Sequence, residues 1–284
     1  MRMNKDMEKF TVSIVTYNDA KRLAYTLESL KNYDSVVVID KSSTDNTEEI
    51  AHKYNRPYHR VGYFESFADK EGARAIKEIW DSFANEWIFD VTCSDIIHPE
   101  LCKDMLSFIN THPQLEAVYL PLYRYSMGFV SKYSYFGDIT YQAKLFKKSV
   151  HDFDIIQVHA NCLANAKNTA KLQPKNKSVA IYHLTHENLE LVMERHLRYA
   201  RVEAKTDEEI MSREDYLNKS WRKVLGVVFR YIKLRTFKLG DRGRAQLCML
   251  LMYRCANFLD LYMNEEEEKR ISSVYDSIRA GHFE

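Results

Sequence analysis

The chain has 284 residues, 45% of them hydrophobic, enough to bury a core as one large domain or as a main domain with an appendage. That composition excludes general disorder. Forty-one Lys and Arg against forty Asp and Glu leave a net charge of +1, so overall charge offers no case for a nucleic-acid binder.

The first ten residues carry no apolar core, and no uninterrupted apolar run of about 18 residues follows, so neither a signal peptide nor a spanning helix is expected. Thr11 to Thr16 is a short β-branched run that predicts a strand, and Tyr17-Asn18-Asp19 behind it offers a helix cap before Leu23, Leu27 and Leu30 recur at helical spacing. Val36 to Ile39 reads as a central parallel strand. The polar turn Asp40-Lys-Ser-Ser-Thr-Asp-Asn-Thr follows, with Thr44, Thr47, Glu48 and Glu49 as the cap and first turn of a second helix. No Gly-x-Gly-x-x-Gly joins the first strand to its helix, which disfavours a dinucleotide fold and an NAD-linked oxidoreductase. In open α/β sheets small polar ligands bind at the carboxyl ends of the strands, so the chemistry is expected at these first two tips.

Ala73, Ile76, Ile79, Trp80 and Phe83 mark a third amphipathic helix. Trp87 to Val91 is the next buried strand, ending in Thr92-Cys93-Ser94-Asp95, and Pro99 opens another helix. Ala117 to Tyr123 predicts a fourth strand, and the aromatic-rich stretch up to Phe136 predicts loops or hairpins. Val179 to Tyr182 is a late short strand. Its exit, His183-Leu-Thr-His186, leads into a long helix from about Leu189 to Ala204. Cys93, Cys102, Cys162, Cys248 and Cys255 form no C-x-x-C pair, which fits reduced thiols and a cytoplasmic setting.

Beyond residue 206 the character changes, and a boundary is expected there between a main domain, 1–206, and a basic helical region, 207–284. From Lys219 to Leu247 nine basic residues face one acid, Asp241. Trp221, Leu225, Val227, Val228, Phe229, Ile232, Leu234 and Phe237 lie between them. Such a stretch is either a solvated helical face or a face that rests on an anionic membrane surface. The aromatic side chains, without any nucleic-acid module, favour the membrane.

TVSIVTYN followed by VVVIDKSSTDNTEEIA resembles the nucleotide-sugar half of an inverting GT-A fold glycosyltransferase of the family 2 type, with a strand ending in T-x-N and a second ending in D-x-x-S-T-D-x-T. EWIFDVTCSDIIHPEL is similar in frame to the stretch that carries the metal-binding DxD in the subgroup acting on lipopolysaccharide core or capsular glycans. AKLFKKS, the histidine of VHA, IYHLTHENLELVMERHLRYARVEA and VFRYIKLRTFKLGDRGRAQLCMLLMYRCANFLDLY agree with that subgroup. The resemblance implies a mostly parallel central sheet flanked by helices, with a C-terminal helical appendage. It also implies transfer of a sugar with inversion, from a nucleoside-diphosphate sugar to a glycan or lipid-linked acceptor, in bacterial polysaccharide or lipopolysaccharide synthesis, in the cytoplasm or peripherally on the inner membrane face.

Carried over residue by residue, the resemblance places Thr16, Tyr17 and Asn18 along the nucleotide and Asp40 on its base or ribose. The alternative for Asp40 is an aspartate that caps its own turn. The leaving diphosphate gathers negative charge, which Mg2+ or Mn2+ held by carboxylates offsets in relatives. Here Thr92 and Ser94 stand at the two DxD positions, so the metal site is weakened or absent, with Asp95 as its remaining ligand, assisted by Ser94 or by Asp90. Cys93 reads as packing. Lys70 and Arg74, four apart on one helix face, are candidates for the phosphates, against a solvated surface pair. His183 and His186 are candidates for the diphosphate or its cation, against a helix-capping role. Relatives supply a general base as the Glu of V-H-E; this chain reads Val158-His159-Ala160, which leaves Asp152, Asp154 or His159, with Asp154 the nearest. The losses admit an enzyme with relocated groups or a silent protein that binds a sugar nucleotide or scaffolds glycan assembly.

Overall fold

The computed structural model describes residues 9–64, 70–153, 163, 165–208, 211–263 and 265–280. By its internal contacts the chain forms two compact units: the described residues up to Ser131 together with Phe136–Thr185, and Lys132–Tyr135 together with the described residues from His186 onward.

The first unit is built on one mixed sheet. Strands β1 (Phe10–Thr16), β2 (Val36–Asp40), β3 (Tyr58–Arg60) and β4 (Trp87–Thr92) form its parallel half in the order β3-β2-β1-β4. The sheet continues through β7 (Ile139–Lys147), β6 (Ala117–Ser126), β9 (Ile181–Thr185) and β5 (Asp95–Ile97), with β8 (Thr169–Lys171) on β6. The β4–β7, β6–β7 and β5–β9 pairings are antiparallel.

The apolar runs explain the layers. Every residue of β2 is buried, as expected for a strand covered on both faces. One face of the sheet packs Phe10, Val12, Ile14 and Val38 against Leu23 and Leu27 of α1 (Ala20–Ser29) and Leu101 and Met105 of α4 (Leu101–Thr111). α2 (Thr47–Lys53) adds Ala51 to the same cluster. The opposite face packs Ile39 and Ile88 against Ile76 and Trp80 of α3 (Lys70–Asp81). Trp80 Nε1 donates to Ser13 Oγ at 2.9 Å, which satisfies both polar atoms inside that layer. Gly72 is required where it stands, since a Cβ there would lie 2.2 Å from the buried Phe64 ring.

Two local expectations change. Asp19 makes no capping bond to α1; its carboxylate grips Arg22, and the first N–H of α1 is met by Asp45 of the next loop, from Ala20 N to Oδ2 at 3.0 Å. The aromatic-rich stretch does form a hairpin, but its return strand β7 and the short β3, β5 and β8 had no clear signal.

The second unit is helical: α5 (Leu189–Glu208), α6 (Arg213–Lys233), α7 (Asp241–Tyr262) and α8 (Glu265–Arg279). α5 joins this unit through Asn257 Nδ2, which donates to the Ala200 carbonyl at 3.0 Å, and through Glu203, which accepts from Lys223 at 2.6 Å, Tyr253 at 2.5 Å and Arg254 at 2.8 Å. By its contacts the main segment of this unit opens at His186. No described helix is long and apolar enough to cross a membrane.

Candidate active site

The tips of β2, β1 and β4 lie side by side, because register pairs Thr16 with Asp40 and Val15 with Thr92. Side chains knit the three loops that leave them. Asn18 takes the left-handed conformation at φ 46°, which asparagine tolerates better than most residues. Its N–H donates to Ser43 Oγ at 2.7 Å, and its Oδ1 accepts from Thr44 N at 2.8 Å. Arg22 joins the first loop to the third, with Nη1 donating to Ser94 Oγ at 2.7 Å while Asp19 holds the other side of the guanidinium. Thr16 Oγ1 and Thr92 Oγ1 are buried without a hydrogen-bond partner among the described residues.

An aromatic and cationic cluster stands over the β1 and β2 tips. The Tyr17 and Tyr63 rings lie 4.6 Å apart, and Lys41 Nζ sits 5.8 Å and 5.7 Å from their centroids and 4.8 Å from that of Phe64. Lys41 Nζ also donates to the Phe64 carbonyl at 3.0 Å. The rings are tilted by 53° to one another, and an aromatic face with a charge beside it suits a nucleobase and its phosphates.

Asp40 is fully buried. Its oxygens accept from Ser43 N at 3.2 and 3.0 Å, from Ser43 Oγ, and from Tyr58 O–H at 2.7 Å. The bonds to Ser43, three residues on, are those of an aspartate that caps its own turn.

Asp95 is also fully buried, and three donors converge on it: Thr92 N at 2.9 Å, Lys144 Nζ at 3.1 Å and His183 Nδ1 at 2.6 Å. Antiparallel register between β5 and β9 sets His183 opposite Asp95, and β7 delivers Lys144 from the other side. Burial pushes the Asp95 carboxyl up, but the Lys144 charge, the His183 hydrogen bond and the Thr92 N–H outweigh it and hold the group well below the usual carboxylate range. Burial opposes the Lys144 charge, yet Asp95 and Asp90 keep its pKa above that of an ordinary lysine. Lys144 also donates to the Asp90 carbonyl at 3.0 Å. The Asp90 carboxyl is pushed up by burial, with Lys144 opposing and Asp95 adding to the rise. Cys93 is buried and its thiol is pushed up to about 12, the inert packing role expected of it. Among the described residues no group of three or more His, Cys, Asp or Glu side chains is arranged to hold a metal ion.

The other candidates separate. Lys70 opens α3. Arg74 is 82% exposed and pairs with Glu78 at 3.2 Å, a surface pair of little energetic weight. His186 lies in the helical unit, where its ring stacks on His196 at 5.1 Å, so it does not share a unit with His183. Asp154 and His159 lie outside the described residues. Lys41, Tyr58, Tyr63 and Lys144 carry no local sequence signal for this site. Only Arg22 had a local signal, its i,i+3 spacing from Asp19.

A family model for Glycosyl transferase family 2 matches residues 11–166, more than half of the chain and all three strand tips. The chain belongs to this family. Among relatives of the family 2 chain, an uncharacterized glycosyltransferase of Rickettsia felis is 30% identical over 120 residues, 38% of this chain and 36% of that protein. The poly(ribitol-phosphate) beta-N-acetylglucosaminyltransferase TarS of Staphylococcus aureus is 34% identical over 116 residues, 37% of this chain and 20% of TarS. The likeness thus spans well under half the length of either relative. A crystal structure of S. aureus TarS superposes with a TM-score of 0.48 at 18% identity, covering 89% of this chain and 54% of that one.

Proposed function

We propose that this family 2 chain transfers a sugar, with inversion, from a nucleoside-diphosphate sugar to a hydroxyl of a bacterial surface-glycan acceptor. The observation that carries the reading is the bridging of three parallel strand tips by Asn18–Ser43, Asp45–Ala20 and Arg22–Ser94 beneath the Tyr17, Tyr63 and Lys41 cluster. The bridges preorganise a ligand platform at the end of the sheet where such folds bind nucleotides. The base lies on Tyr17 and Tyr63, with Thr16 and Asn18 beside it, and Asp40 acts by holding the loop that contains Ser43. Lys41 and Arg22 face the diphosphate, with Lys70 and His183 as the further candidates for it. TarS, by its name a transferase that acts on a polyol-phosphate polymer, supports a surface-glycan acceptor. The acceptor's proton passes to a general base in the segment after β7, for which the Asp154 carboxylate is the candidate and the His159 imidazole the substitute.

Donor binding in this reading needs no divalent cation. The residues at the expected position do not fit a hard-cation site: both Asp95 oxygens are engaged, a fixed ammonium lies 3.1 Å away, and Thr92 and Ser94 stand where two carboxylates would be needed. A silent, donor-binding relative is the competing reading, favoured by those same substitutions.

The test is nucleotide release and product formation from a panel of UDP-, GDP-, CMP- and TDP-sugars, with EDTA, Mg2+ or Mn2+. Turnover that persists in EDTA supports the full reading. Donor binding without release from any sugar selects the silent relative, and strict dependence on Mn2+ or Mg2+ refutes the metal-free site.

A further inference from the structure

α6 carries three distinct faces. At about 100° per residue, Tyr216, Ser220, Val224 and Val227 share one side, and all four are buried. Roughly a third of a turn further round come Trp221, Leu225, Val228, Phe229 and Ile232, which are 51%, 53%, 41%, 67% and 60% exposed. The remaining third presents Lys219, Arg222, Arg230 and Lys233. A helix that only closed a bundle would have one apolar face. Here a second, five-residue apolar stripe faces outward over three turns, and it is bordered by cations. The exposed Phe237 and Lys238 continue the same alternation just past the helix.

We infer that this face of α6 seats in the headgroup region of an anionic bilayer. The stripe supplies the aromatic and aliphatic side chains that enter the acyl boundary, and the basic third stays at the phosphate level, the arrangement of an interfacial helix. Charge selects the occupant. No acidic residue lies between Lys219 and Gly240, so a second copy packed stripe to stripe would bring basic borders together, whereas anionic lipid phosphates complement them. Lys223 is spent inside the unit on Glu203 at 2.6 Å, Lys219 is half-buried and Arg230 lies over the Tyr135 ring at 4.3 Å, so the lipid-facing charge comes chiefly from the exposed Arg222 and Lys233. The seating is independent of the transfer reading, because it requires neither donor nor acceptor.

The molecule contains its own probe. Its three tryptophans are Trp80, Trp87 and Trp221; the first two are 2% and 1% exposed, and Trp221 stands at the head of the stripe with its ring 5.8 Å from Phe258. The experiment uses the full chain without donor and vesicles of equal parts phosphatidylcholine and phosphatidylglycerol, or of phosphatidylcholine alone, each with brominated acyl chains. The expected result is quenching of Trp221 emission on the anionic vesicles only. A Phe229→Ser/Ile232→Ser variant should bind about tenfold more weakly, and an Arg222→Glu/Lys233→Glu variant should lose the preference for anionic lipid. All four positions are exposed, and an unchanged melting temperature confirms that the variants fold. Absent quenching on anionic vesicles, or equal binding by all variants, overturns the inference. So does a dimer in sedimentation equilibrium that the Phe229→Ser/Ile232→Ser variant makes monomeric, which would assign the stripe to a second copy.

Discussion

Replacing Lys144 with Met tests whether the ammonium, and not a metal, holds the charge of Asp95. Methionine retains most of the side chain's length and apolar stem, so the change removes one positive charge and two hydrogen bonds, to Asp95 Oδ2 at 3.1 Å and to the Asp90 carbonyl at 3.0 Å. Asp95 would remain fully buried with Thr92 N–H and His183 as its donors. Breaking a buried ion pair by deleting one partner costs about 3–5 kcal/mol, because the remaining charge is uncompensated. Two hydrogen-bond donors to Asp95 remain, so about 3 kcal/mol is the expected loss, read as a lower urea midpoint at neutral pH with an unchanged slope. The double variant Lys144→Met/Asp95→Asn removes both charges and should recover part of the loss; the cycle gives the coupling. The sign with pH follows from the depressed Asp95 carboxyl: its stabilisation is complete above the ordinary aspartate value near 4, and is lost as pH falls towards the folded-state value. Wild type should therefore lose more stability below that value than Asp95→Asn does. A Lys144→Met loss under about 1 kcal/mol, or restoration of wild-type stability by Mn2+, would refute the reasoning.

Glu203 provides a second acid-sensitive contact: burial raises its carboxyl, but Lys223, Tyr253 and Arg254 bring it from 4.5 down to about 2. That shift corresponds to about 3 kcal/mol, fully present above pH 4.5 and lost as pH falls through about 2; denaturation of wild type and Glu203→Gln at neutral and acid pH should show the variant losing about 3 kcal/mol less than wild type across that window. Gly72→Ala should push the Phe64 ring aside, since the added Cβ would lie 2.2 Å from it, and should weaken donor binding measured by calorimetry through Lys41, which bonds the Phe64 carbonyl; unchanged affinity would remove Lys41 from the site. Tyr58→Phe takes one donor from the buried Asp40 and should cost about 1–3 kcal/mol, and a neutral effect in thermal unfolding would contradict the loop-holding role. Asn18→Gly suits the left-handed φ of 46° and keeps the backbone N–H bond to Ser43 while removing the Oδ1 acceptor for Thr44 N, so it should weaken donor binding with little change in melting temperature; intact affinity would count against the platform.

The alternation of β-branched runs with amphipathic helices up to residue 111 was legible because burial on both sheet faces leaves an unmistakable apolar run, as in Val36 to Ile39, and helix periodicity marks Leu23 and Leu27 or Ile76 and Trp80. The T-x-N and D-x-x-S-T-D-x-T tips were legible too, since polar residues at the ends of such runs have few reasons to be there. β7 and β5 were not. β7 is mostly half-buried, and β5 is three residues long and pairs with β9 far along the chain, so no local period announces either.

Sequence by itself determined the sheet's parallel half, the polar character of its tips and the basic aromatic stretch after residue 218. Tertiary structure alone decided what those residues face. Asp40 and Asp95 look alike on paper, each an aspartate at a strand end. One closes its own turn, while the other is locked by a lysine 49 positions away and a histidine 88 positions away. Likewise α6 reads as a single amphipathic helix until packing shows which apolar residues the bundle consumes and which it leaves outward. Charge partners and burial are properties of through-space distance, and distance between remote residues is set only when the chain closes its sheet and packs its helices.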